Sequence, residues 1–203
     1  MLNLFLKISF TFVIILGLSI KIQAQNLDFI VNYSKTNSVG DVHQMSLNGV
    51  GIDIRKHLSK VPISIGVASS YNFSEKEINT DYNSPIPDSD LKNFVIVPFQ
   101  LNVHYYFNER GVISPFIGIG GSGYFIEQGY MVSQYALDLD GGSSSSREVK
   151  ESNVSYGFMG ELGFTTTFFD RINPFFSLKY NYVPTNDYNI NYSNICVNVG
   201  LSF

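Results

Sequence analysis

The sequence has one cysteine, Cys196, and no tryptophan in its 203 residues. A single thiol excludes an intrachain disulfide framework and any zinc site built from cysteines. Charge is scarce as well: Asp, Glu, Lys and Arg make up 15% of the chain, against roughly 25% in an average soluble domain. Bases number 13 and acids 17, so there is no excess of positive charge to meet phosphate, which excludes a nucleic-acid binder. No apolar run beyond residue 24 approaches the roughly 20 residues of a membrane-spanning helix. What the chain does have is 17 Phe, 13 Tyr and 17 Gly within a hydrophobic content of 44%. That is far too apolar for a disordered chain.

Residues 1–24 read as an address. Lys7 precedes an apolar run from Ile8 to Ile20, and Ile22-Gln23-Ala24 ends in a small residue. This is the layout of a secretory signal peptide, with cleavage expected after Ala24. The apolar run is too short for a retained spanning anchor. Removal would take away Lys7 and Lys21 but no acid, leaving an exported chain, residues 25–203, that is more acidic still.

From residue 27 onward the apolar residues alternate with polar ones, the period of a strand. Leu27, Phe29, Val31 and Tyr33 share one face of a first strand, and Val50, Ile52 and Ile54 one face of a second. Opposite the latter stand Gly49, Gly51, Asp53 and Arg55. The third sets Ile63, Ile65, Val67, Tyr71 and Phe73 against small polar residues. The fourth sets Val95, Val97, Phe99, Leu101, Val103, Tyr105 and Phe107 against Gln100, Asn102 and His104. In the glycine-rich fifth, Ile117, Ile119 and Phe125 form the apolar face. Val154, Tyr156, Phe158, Leu162, Phe164 and Phe168 form that of the sixth, against Glu161. In the seventh, Phe176, Leu178, Tyr180 and Tyr182 oppose Ser177, Lys179 and Asn181. The eighth alternates Ile195, Val197, Val199, Leu201 and Phe203 with Asn194, Cys196, Asn198, Gly200 and Ser202.

Such strands are long for a soluble sheet but suit a tilted bilayer crossing of roughly 9–11 residues. Their connections alternate too. Those near 57–61, 108–112 and 169–173 are tight, whereas 34–44, 74–92, 127–152 and 183–191 are longer and polar. Tight turns at one end and long loops at the other are the layout of an outer-membrane barrel. The charges select the orientation of the faces. The apolar faces carry none until Lys56 at a strand end, while Asp28, Asp53, Arg55, Glu161 and Lys179 sit opposite. A base facing lipid at mid-bilayer costs about 2–4 kcal/mol, so the apolar face is expected to look outward. The predicted fold is all-β: an eight-stranded antiparallel up-and-down transmembrane β-barrel. It must close, because an open edge in hydrocarbon leaves backbone amides unpaired.

The Val97-Pro98-Phe99-Gln100-Leu101 to Tyr105-Tyr106-Phe107 segment, the Ser114-Pro115-Phe116-Ile117-Gly118-Ile119-Gly120 segment and a last strand ending in Phe203 resemble the small outer-membrane β-barrel family of the OmpX and OmpA-barrel type. The resemblance covers the whole exported chain. It implies a bacterial outer-membrane location, with termini toward the periplasm and long loops outside. It also implies contact with outer-membrane lipids and lipopolysaccharide. Val199, Leu201 and Phe203 are similar to the C-terminal signal by which the barrel-assembly machinery recognises that family.

The inward charges Asp53, Arg55, Glu161 and Lys179, with His104, are read as a polar network filling a narrow lumen. Glu161 and Lys179, on neighbouring strands, are one expected pair, and Asp53 with Arg55 or with a group across the lumen is another. A solute pore is not expected at this strand number. Of the remaining histidines, His57 lies in a tight turn. His43, with Asp41 and Ser46 in the first long loop, is the only arrangement resembling a lipid A acyl-transfer or deacylating site. Asp138-Leu139-Asp140-Gly141 lacks the spacing of a calcium loop, and neither a metal site nor a cofactor is read from the sequence. The function expected first is a non-enzymatic membrane barrel whose surface loops serve adhesion, partner contact or envelope stability. A component of an export or assembly machine, and a lipid A-modifying enzyme using His43, are the alternatives.

Overall fold

The strands follow one another in hydrogen-bonded order and then close. In the computed structural model, which describes residues 26–40, 46–74, 91–108, 111–135, 144–167, 172–184 and 191–203, eight antiparallel strands form a barrel. They are β1 Leu27–Ser38, β2 Ser46–His57, β3 Ile63–Phe73, β4 Leu91–Tyr106, β5 Ile113–Tyr135, β6 Ser144–Thr166, β7 Asn173–Tyr182 and β8 Asn194–Ser202. The seam is the pairing of β1 with β8, from Ile30↔Ser202 to Ser38↔Asn194. It gives each strand two neighbours through the barrel wall, so ladder bonds satisfy the backbone without water. No helix occurs among the described residues.

The alternation read from the sequence sets the facing throughout. Phe99, Leu101, Ile119, Tyr156 and Phe158 are between 63% and 75% exposed, while Gln100, Asn102, His104 and Glu161, on the opposite parity, are buried. The wide apolar exterior is the inverse of a soluble barrel and matches a hydrocarbon surround. Tyr33, Tyr156 and Tyr182 point outward toward the long-connection end, and Tyr105 and Phe107 toward the tight-turn end.

Two expectations change. Residues 127–135 and 144–152 are strand rather than loop: β5 and β6 pair from Glu127↔Ser152 out to Tyr135↔Ser144. Beyond the bilayer a ladder needs no apolar face, so strand continues where hydrophobic alternation has stopped. For the same reason β1 runs to Ser38 and β4 begins at Leu91. The second change is inside. Small polar residues were expected to fill the lumen, but buried apolar side chains share it toward both ends. Leu47, Phe94, Ile96, Tyr124, Ile126, Val183 and Tyr192 cluster at the long-connection end. Ile30, Tyr106, Phe116 and Phe175 cluster at the tight-turn end. Within each cluster the apolar side chains bury one another.

Candidate functional site

Between these two apolar layers lies the polar centre, and Arg55 is its hub. Arg55 is fully buried, placed by the inward parity of β2. Its Nε donates to Asp53 Oδ2 at 2.8 Å, and Nη2 lies 2.7 Å from the same oxygen. Nη2 also reaches Glu161, 3.4 Å from each carboxylate oxygen, across the lumen from β6. Nη1 donates to Tyr106 Oη at 3.3 Å. The guanidinium carbon sits 4.6 Å from the centre of the Phe116 ring and 5.1 Å from that of Phe175, within cation–π range. A planar, weakly hydrated cation is suited to such a site, where carboxylates take its edge and aromatic rings its face.

His104 Nε2 lies 2.9 Å from Glu161 Oε2, and its Nδ1 is 3.4 Å from Ser64 Oγ. A neutral ring protonated at Nε2 donates to the carboxylate and accepts from the serine, so both contacts are satisfied together. Room for the ring comes from Gly118, where a Cβ would collide with the imidazole. Lys179 faces Glu161 in the β6–β7 register. Its ammonium nevertheless donates to Gln100 Oε1 at 2.8 Å, and no direct Glu161–Lys179 ion pair forms. Arg55 and His104 have already taken the Glu161 oxygens. From Gln100 the bonds continue to Asn181, and from there to Tyr124 and Asn194.

Of the residues expected in the lumen, Asp53, Arg55, His104 and Glu161 thus form one cluster, and Lys179 lies beside it in a second chain of bonds. Two buried bases face two buried acids, which is how charge is tolerated in a low-dielectric interior. Asp53 Oδ1 and the Asn102 amide have no protein partner. Asp53 borders a cavity of about 30 Å³, large enough for about two waters. Atoms of Asp53, His104 and Glu161 lie within 4.8 Å of one another, a spacing open to a metal. The Arg55 guanidinium already supplies the positive charge between the two carboxylates, and a metal ion would have to displace it from its aromatic cage.

Tyr106, Phe116, Phe175, Gln100 and Ser64 belong to this site and were not singled out from the sequence. Their inward parity was readable, but three are aromatic, and only polar and charged residues were read as lumen-facing. At the tight-turn mouth, His57 Nε2 lies 2.8 Å from Asp28 Oδ2, and the imidazole packs on Tyr106 with ring centres 4.8 Å apart. His43, Asp41, Phe168 and the acidic positions 75–90 and 136–143 lie outside the described residues.

A closed eight-stranded barrel with an apolar exterior, aromatic ends and a charge-balanced lumen defines an integral outer-membrane β-barrel. The chain belongs to the outer membrane protein beta-barrel domain family, whose model matches residues 10–203. Among solved structures it is similar to Neisserial surface protein A, at 15% identity and TM-score 0.58, covering 87% of this chain and 94% of that one. It is also similar to OprG of Pseudomonas aeruginosa, at 11% identity and TM-score 0.59, with 87% and 94% coverage. A major outer membrane protein of Thermus thermophilus matches at 9% identity and TM-score 0.58, covering 87% and 98%. At these identities the likeness is one of fold. No curated protein matches the chain.

Proposed function

We propose that this protein is a non-enzymatic, non-conducting barrel of the outer membrane that presents the outer part of β5 and β6 to a partner. In this reading residues 1–24 are the export signal, the tight turns face the periplasm and the long connections face outward. Val199, Leu201 and Phe203 engage the assembly machinery. Val199 and Leu201 project from the outer face of β8, the strand that closes the seam, and Phe203 follows its last residue; all three are about half exposed.

The observation that carries the partner-binding reading is the mismatch in strand length. β6 loses β7 beyond the pair Phe158↔Tyr182 but continues with β5 to Ser144. On that side the outer stretch of β6 has no strand beside it among the described residues. An open edge presents backbone donors and acceptors to which an extended segment of another chain adds. The lumen supports the passive part of the reading, since apolar layers lie on both sides of its polar centre. The test replaces residues 131–148 with a two-residue turn in cells expressing the protein. Adherence to surfaces is expected to fall while the amount of folded barrel in the membrane stays the same. Unchanged adherence would remove the hairpin from the function.

A further inference from the structure

The outward faces of β1 and β2 change character abruptly. Along β1 they read Leu27, Phe29, Val31, then Tyr33, Lys35 and Asn37; along β2, Ile54, Ile52 and Val50, then Asn48 and Ser46. Above the change, Tyr33 Oη donates to Asn48 Oδ1 at 2.7 Å, and Lys35 Nζ donates to the same oxygen at 3.0 Å. Ser46 Oγ donates to Asn37 Oδ1 at 3.1 Å. Two donors on one amide oxygen fix the Asn48 side chain and hold the ammonium against the wall.

Lys35 makes no ion pair among the described residues, and its ladder neighbours are Asn48 and Val197. An ammonium with no carboxylate partner among the described residues therefore stands at the upper border of a hydrocarbon-facing wall. Directly below it Val31, Val50 and Val199 form an apolar surface. A ligand fitting both parts needs an anionic head with free acceptor oxygens and a greasy tail lying along the strands. Lysine meets phosphate as a compact charge with several donors, and the lipid surface supplies that charge at this height.

We propose that Tyr33, Lys35 and Asn48 form a binding site for the phosphate of a membrane lipid, with its acyl chains lying on Val31, Val50 and Val199. The leaflet follows from the topology proposed above: with the long connections outside, the lipid is the phosphorylated glycolipid of the outer leaflet. The Lys56 ammonium at the opposite border, beside Leu27 and Ile65, lacks the Tyr–Asn clamp and serves as the internal control.

The refolded full barrel in non-ionic detergent, mixed with lipid A, is examined by native mass spectrometry for retained lipid. Lys35→Gln is expected to lower retention about fivefold, Lys35→Arg to keep most of it and Lys56→Gln to leave it unchanged. Lipid A stripped of its phosphates is expected to bind as weakly as the Lys35→Gln variant binds the intact lipid. Equal retention by wild type and Lys35→Gln overturns the site, and so does an equal loss from Lys56→Gln. Displacement of the lipid by millimolar inorganic phosphate would show a free-anion site and overturn the lipid assignment. Heat-dependent gel mobility verifies that each variant is folded. The measurement uses no partner and no intact cell, so it can fail while the adherence test succeeds, and the reverse.

Discussion

The lumen and the lipid-facing wall are alternate residues of the same strands, and they handle charge in opposite ways. Inside, Arg55 and Lys179 are buried and spend their donors on Asp53, Glu161 and Gln100. Outside, Lys35 and Lys56 stand at the two borders, and the outward faces of β1 and β2 between them carry no charge. The difference follows from what each face can reach. A lumen charge has no bulk water and must find a protein partner. A wall charge escapes by standing at the level of the lipid heads, with its carbon stem along the apolar surface.

Three substitutions test this contrast. The largest effect is expected from Arg55→Met, which leaves Asp53 and Glu161 as two buried carboxylates without their shared cation. The loss should be about 3–5 kcal/mol in urea unfolding from lipid vesicles, and adding Glu161→Gln should recover part of it. A loss below about 1 kcal/mol would mean that water, rather than Arg55, neutralises the lumen. Next is Leu101→Arg on the wall. Leu101 is 69% exposed, so in a soluble protein the change would be nearly neutral, but facing hydrocarbon it should cost about 2–4 kcal/mol. A neutral result in the same assay would show that the wall meets water. The smallest is Lys179→Met, which leaves Gln100 Oε1 short of a donor and should cost about 1–3 kcal/mol. An effect as large as that of Arg55→Met would show that Lys179, not Arg55, is the main partner of Glu161.

The strands were legible because a side-chain period of two survives wherever one face meets lipid and the other does not. Ile117 and Ile119 in the glycine-rich fifth strand project outward as their parity requires. Legibility stopped where that asymmetry stopped. Residues 127–135 and 144–152 stand beyond the apolar band, so their pairing leaves no hydrophobic rhythm to read. The candidate site was legible in part. Asp53, His104, Glu161 and Lys179 were marked by being polar on the inward parity. Phe116 and Phe175, which flank Arg55, have the same parity but the composition of a lipid-facing residue.

By itself the sequence determined the number of strands, which side of each faces outward and which charged groups are enclosed. Those are local consequences of alternation and of the energy of placing charge in hydrocarbon. Only the closed barrel decided who pairs with whom. Glu161 neighbours Lys179 along the ladder, yet it is engaged by Arg55 and His104 from other strands. Partners across a lumen are set by the curvature and stagger of the whole sheet, and no spacing along one strand encodes them.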